Sequence, residues 1–243
     1  MKIMFRTSGG MAIKKQLGFG HVNRCLSLAK AFRNSQIFFL IEDYGGIKKF
    51  MKNKNLKIDY LQKNISKEKD ADETRKQIIE NQIDILVVDK YGVELSYLKK
   101  MKKLCKVVVI SDLKKIDYPV DLVINGFIGF KNIIKKNKYG TKCLLGPKFQ
   151  ILNYNFKNKT KNKKTEDLLL TFGGFDENNI IEMVLNELVN RNRKIVTKII
   201  LGPSTKKSKN LLKLIKKGKD HVSIINSTSN MKKEISTVKV GLC

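Results

Sequence analysis

The sequence predicts an α/β protein in which helices cover parallel sheets, and two observations carry that expectation. Short apolar runs rich in β-branched residues, such as Ile85-Leu86-Val87-Val88, alternate with longer amphipathic stretches almost throughout the chain. A run that is apolar at every position suits a strand buried on both faces, the condition of a parallel sheet between two helix layers. The alternation stops at a polar interval and then restarts, so a doubly wound α/β unit is expected twice.

In the first half, strands are expected at 2–6, 36–41, 57–60, 84–89, 106–111, 121–125 and 142–145, with helices at 21–33, 46–52, 67–81 and 94–103. The interval 153–165 is rich in Lys and Asn and lacks aliphatic residues. It reads as a linker, the alternative being a long surface loop within one domain. Beyond it, strands are expected at 167–172, 194–201, 222–226 and 238–242, and helices at 178–190, 204–217 and 231–237. Two domains follow, 1–150 and 166–243. The last strand has only begun when the chain reaches Cys243. A sheet does not normally finish on an unprotected apolar strand, so the C-terminal domain is expected to be truncated.

The 243 residues and 42% hydrophobic content are enough for a buried core. No apolar run approaches the roughly 18 residues that span a bilayer, and the N-terminus lacks the apolar stretch of a secretion signal. The expectation is a cytoplasmic protein with no membrane insertion. The four cysteines, Cys25, Cys105, Cys143 and Cys243, form no CxxC pair, and the two histidines are His21 and His221. Buried free thiols are therefore expected at Cys25 and Cys143, and structural zinc is not. The net charge is +28, but six of the 50 basic residues are arginine and the lysines spread over all but one of the expected helices. A nucleic-acid binder concentrates its charge and uses arginine for bidentate contacts, so no nucleic-acid partner is expected. A general pull on anionic substrates remains.

Three motifs lie where strands end and helices begin. The first is Gly18-Phe19-Gly20-His21-Val22-Asn23-Arg24, after a Gly-containing loop. Val22, Cys25, Leu26, Ala29 and Phe32 then fall at i, i+3, i+4, i+7 and i+10, so His21 and Arg24 belong to the first turn of a helix. That turn lies near the carboxyl end of the first strand, the ligand edge of open α/β sheets. Glycines there let a backbone approach a ligand, and free N–H groups attract anions. A histidine at that mouth is placed to accept a proton from water, or merely to cap the helix. The second motif is Val87-Val88-Asp89-Lys90-Tyr91-Gly92, which brings a carboxylate and a phenol to one strand end. By spacing alone the simpler reading is a turn, with Asp89 capping the next helix and Tyr91 packed. The third is Thr171-Phe172-Gly173-Gly174-Phe175-Asp176 with Asn178-Asn179, followed by a helix faced by Ile181, Val184, Leu185 and Leu188. It suits phosphate, with Asp176 as the alternative helix cap. As a counterpart of the first loop it points to a ligand held between two domains. His221 reads as a surface-loop residue.

Taken together these residues resemble the UDP-sugar hydrolases of the pseudaminic acid pathway and their relatives in spore-coat polysaccharide synthesis. The resemblance runs in order through Gly18-Phe-Gly-His-Val-x-Arg24-Cys-Leu, Asp89-x-Tyr91-Gly92, Leu145-Gly146-Pro147, Phe172-Gly173-Gly174-x-Asp176 with Asn179, Leu201-Gly202-Pro203 and Asn230-Met231. It implies two Rossmann-like domains of the GT-B, MurG-like type. The implied reaction is inverting hydrolysis of a UDP-linked diacetamido-trideoxy hexose to UDP and free sugar, in a step toward a nonulosonic acid; the alternatives are a glycosyltransferase of the same fold and a non-catalytic nucleotide-sugar binding remnant. The partners implied are the UDP-sugar and water, in a monomer, without metal or other cofactor. His21 would activate the water and Tyr91 would assist at the sugar. Gly18, Gly20, Arg24, Asp89, Gly173, Gly174, Asp176 and Asn179 would bind substrate. The chain departs from the family pattern at Ser111, where an aspartate usually precedes Asp112, and at Asn153, where an arginine is usual. It also ends at Val240-Gly241-Leu242-Cys243, ahead of the family's nucleotide-site Gly-Gly-Ser/Thr loop and later glutamate.

Overall fold

A computed structural model describes the chain except for residues 12–17, 53, 154–155, 157–161, 175, 177, 192–193, 203–204, 206 and 229. Part of the loop after the first strand, most of the expected linker at 153–165, Pro203 and the start of the helix expected at 204–217 lie outside the described residues. The chain divides into two compact units, Met1–Gly10 with His21–Asn153, and Met11–Gly20 with Tyr154–Cys243.

The first unit is built on β1 (Lys2–Gly9), β2 (Gln36–Asp43), β3 (Lys57–Leu61), β4 (Ile85–Asp89), β5 (Lys106–Ile110), β6 (Leu122–Asn125), β7 (Ile133–Lys136) and β8 (Lys142–Leu145). Their order in the sheet is β3-β2-β1-β4-β5-β6-β8-β7. β7 runs antiparallel to β8, and the other pairings are parallel. The helices are α1 (Gly20–Ala29), α2 (Ile47–Met51), α3 (Lys67–Asn81) and α4 (Leu95–Lys102). All of β1 beyond Lys2 is buried, as a central strand covered on both faces requires. Successive side chains go to opposite faces. Met4 therefore joins Leu86 and Val88 in the core built with Ala71 and Ile78 of α3 and Leu98 and Met101 of α4. Phe5 faces the other way and stacks on Phe39, ring centroids 5.1 Å apart.

Local chemistry sets the helix ends. The Ser66 hydroxyl accepts from the Lys69 N–H to cap α3, and Glu68 and Asp70 occupy its first turn, where the helix dipole favours carboxylates. α1 ends at Ala29, short of the expected residue 33. The chain tightens there, with the Ala31 N–H donating to Leu28 O and the Phe32 N–H to Ala29 O, three residues back in each case. β7 is not expected from the pattern. Its residues are exposed throughout, so burial leaves no mark on its sequence.

The second unit holds β9 (Glu166–Leu170), β10 (Thr197–Ile200), β11 (Val222–Ile225) and β12 (Val238–Leu242), all parallel, in the order β11-β10-β9-β12. Its helices are α5 (Ile180–Asn190), α6 (Lys209–Lys217) and α7 (Met231–Ser236). Leu170 and Ile199 meet Ile181 and Leu185 of α5 and Leu211 and Leu214 of α6 on one face. Leu169, Ile200 and Val238 form the other, with Met231 of α7 packed on it. Lys198 on β10 is buried and paired with Glu166 at 2.9 Å and Glu234 at 3.2 Å, which ties α7 to the sheet. Among the described residues no helix is long and apolar enough to cross a membrane.

Candidate active site

β1 and β4 are neighbours with Thr7 opposite Asp89, so the end of β4 lies beside the strand that leads toward α1. This adjacency brings together groups far apart in sequence. The Asp89 carboxylate, 1% exposed, accepts from His21 Nδ1 at 2.6 Å and from Arg24 Nε at 2.9 Å and Nη2 at 2.6 Å. Arg24 also donates to Asp112, just past β5, through Nη1 and, at 2.9 Å, through Nη2. The Tyr91 ring stands edge-on to the His21 imidazole, centroids 4.6 Å apart and planes at 88°. Asp89 therefore does not cap α4, whose N-terminal Glu94 has no side-chain cap either. Tyr91 is not packed away but 59% exposed.

The charges fix the tautomer. Burial raises the Asp89 pKa, but hydrogen bonds from His21 and Arg24 outweigh it and hold the carboxyl below its usual range. An ionised carboxylate at 2.6 Å requires that His21 Nδ1 carry the proton and donate it. The 3.2 Å approach of Arg24 Nη2 to the same nitrogen then sets two donors side by side, a contact but not a hydrogen bond. The remaining lone pair is on Nε2, which has no hydrogen-bond partner among the described residues. Burial works against the Arg24 cation, yet Asp89 and Asp112 push its pKa well above the ordinary value. Two carboxylates thus face one guanidinium. Burial and the Asp89 charge push the adjacent Cys25 thiol up, so it is not a nucleophile.

No protein-family profile matches the chain. It is 31% identical to the uncharacterized protein MJ1062 of Methanocaldococcus jannaschii over 251 aligned residues, covering 95% of the chain and 49% of that protein. The chain thus spans about half the length of this curated relative. It is 25% identical to the UDP-2,4-diacetamido-2,4,6-trideoxy-beta-L-altropyranose hydrolase of Campylobacter jejuni over 229 residues, covering 92% of the chain and 77% of the enzyme. Among solved structures it is similar to Acinetobacter baumannii MurG, with a TM-score of 0.60 and 11% identity, over 99% of the chain and 72% of MurG. Anabaena HepE, solved in complex with UDP, gives a TM-score of 0.58 at 10% identity, over 99% of the chain and 73% of HepE. The fold is α/β of the GT-B, MurG-like class.

The other expected site residues divide between the loop before α1 and the second unit. Gly20 opens α1 with no atom within 4 Å of where a Cβ would sit, and Gly18 precedes it half-buried. Gly173 follows β9 at φ +64°, a backbone state that favours glycine, and Gly174 comes next. Asp176 accepts from the N–H groups of Ile180 and Ile181, each at 2.9 Å, so its carboxylate caps α5. Asn179 precedes α5 in the left-handed region, at φ 52°. His221 is half-buried in the turn before β11. Gly202 enters the sequence pattern only as part of a motif, yet a Cβ there would lie 2.2 Å from Gly173 O, so it shapes the loop after β9. Asp112, the second anchor of Arg24, is not among the expected site residues. Its sequence signals are its place just after an expected strand and its match to the second of the paired aspartates in the family pattern. Among the described residues, no three His, Cys, Asp or Glu side chains come together as a set that could hold a metal ion.

Proposed function

We propose that this chain carries the catalytic unit of an enzyme that hydrolyses a UDP-linked diacetamido-trideoxy hexose to UDP and the free sugar. The observation that carries the proposal is the His21–Asp89 pair, with Nδ1–H donated to an ionised buried carboxylate and Nε2 left as a base. In the proposed step Nε2 removes a proton from water, the water oxygen attacks the anomeric carbon, and the bond from that carbon to the diphosphate oxygen breaks. UDP departs with the electron pair, and the configuration inverts. Asp89 orients the imidazole and balances the charge it acquires, as carboxylates do beside catalytic histidines. Arg24 holds Asp89. Tyr91, exposed beside the imidazole, borders the sugar. Gly18 and Gly20 give room for backbone approach, and Gly173, Gly174, Asp176 and Asn179 shape the junction assigned to the nucleotide side. The substrate class rests on the Campylobacter hydrolase, whose name states that chemistry. The proposed enzyme acts in nonulosonic acid synthesis as a cytoplasmic monomer, without metal or other cofactor.

The test is UDP release from the diacetamido substrate in 18O-labelled water. Hydrolysis at carbon puts the label in the sugar and leaves UDP unlabelled. His21→Ala is expected to lower kcat by about 10²- to 10⁴-fold, the usual contribution of a general base. Undiminished release by that variant would remove His21 from the mechanism. Release that requires an added acceptor hydroxyl would identify a glycosyltransferase instead.

A further inference from the structure

Lys90 stands between Asp89 and Tyr91 in sequence but takes no part in the His21 cluster. Its amine is paired with Asp70 in the first turn of α3, and its side chain is 14% exposed. Asp70 in turn accepts from Arg6 Nε at 2.7 Å. Arg6 is fully buried on β1, donates from Nη1 to Thr7 O at 2.6 Å, and has Nη2 3.7 Å from Glu42 on β2. The Tyr97 ring of α4 lies 5.4 Å from the Lys90 amine, and its hydroxyl donates to Thr74 of α3 at 3.1 Å. Burial and the nearby Arg6 cation pull the Lys90 ammonium below the usual lysine range. Buried ion pairs of this kind repay their desolvation poorly, so stability alone does not account for one here.

The turn that follows has little packing to hold it. Gly92 sits at φ +66° with nothing within 4 Å of where a Cβ would be, and Tyr91 is 59% exposed. A cavity of about 90 Å3 lies alongside, lined in part by Asp70, Lys90, Val93 and Tyr97. We propose that Lys90 is a positioning residue, whose tie to Asp70, itself held by Arg6, fixes the 89–91 segment so that Asp89 and Tyr91 meet His21. The consequence for turnover rests on the hydrolytic reading above. The geometric claim does not.

Two histidines make the test clean. In the 243-residue chain, proton NMR resolves the imidazoles of His21 and His221, with His221 as an internal control. Lys90→Met keeps the stem and removes the charge, and Asp70 remains paired with Arg6. The His21 ring signals are expected to move toward their position in Tyr91→Leu, as the edge-on contact loosens, while His221 stays fixed. Lys90→Arg restores them. Should K90M not fold, Lys90→Gln serves the same comparison. In turnover, K90M is expected to lower kcat by on the order of ten- to a hundredfold, the cost of a misplacement near 1 Å, with KM within about twofold. A folded K90M whose His21 signals match wild type overturns the proposal. A wild-type chain that releases no UDP, but whose His21 signals respond to K90M, supports the positioning role and rejects the hydrolytic reading.

Discussion

The junction from β1 to α1 and the junction from β9 to α5 occupy the same topological place in their sheets but are built from different parts. Both run from a central parallel strand through a glycine-bearing loop into a helix. At the first, ionisable side chains do the work: His21 and Arg24 converge on Asp89, and Arg24 reaches on to Asp112. At the second, the backbone is the shaped element. Gly173 holds a positive φ, Gly202 presses against it without a side chain, and Asp176 commits both oxygens to the first N–H groups of α5. One topology thus yields an edge of paired ionisable side chains in one unit and a contoured loop in the other. The difference lies in whether the junction's polar groups reach across to a neighbouring strand end or turn back on their own helix.

Removing the central carboxylate of each junction should separate the two designs most strongly. Asp89→Ala leaves a mostly buried guanidinium with one carboxylate fewer and His21 without an acceptor. It is expected to cost the first unit about 3 kcal/mol, at the low end for breaking a buried pair because Asp112 remains. Urea unfolding followed by amide signals of β1 and β4 measures it. A loss below about 1 kcal/mol would mean the cluster adds nothing to the stability of that edge. Acid should show the same dependence. Asp89 and Asp70 both have folded pKa values lowered from the usual one, so their contribution is present above the unfolded value near 4 and is lost as pH falls through the folded values. In the second unit Glu166, held at about 2 by Lys198, Thr165 and Thr237 against the effect of burial, contributes with the same sign. The stability of the first unit should decline below about pH 4, and D89A should flatten that decline.

The cluster also marks where sequence reading stops. Local pattern places His21 at a helix mouth and Asp89 at a strand end, but 68 residues separate them, and only the adjacency of β1 and β4 makes them partners. Spacing alone favours a capping role for Asp89, because a pattern along one segment carries no information about its neighbour in the sheet. Arg6 does carry a signal: a guanidinium at the end of an expected buried strand needs a counter-charge, though nothing local names Asp70 or Lys90. The main strands are legible because burial on both faces writes an apolar run. β7, exposed throughout, writes none.

Smaller effects are expected at the second junction. Gly173→Ala places a side chain at φ +64° with open space around it, so the cost is backbone strain alone, about 1–2 kcal/mol. Asp176→Ala removes a helix cap and should cost about 1 kcal/mol, read from amide exchange in α5. If D176A matched D89A in cost, the contrast between a side-chain edge and a backbone edge would fail.

The smallest effect on stability separates fold from ligand most cleanly. Gly20 opens α1 with no positive φ and open space where a methyl group would go, so nothing in the fold demands glycine there. Alanine is the better helix former, and Gly20→Ala should leave stability unchanged or raise it by up to about 1 kcal/mol. If the glycine serves a ligand's close approach to the backbone, the same substitution should raise KM for the UDP-sugar while the melting temperature holds or climbs. A variant that is more stable and equally active would release Gly20 from the binding set and leave the work of this edge to His21, Asp89 and the groups that hold them.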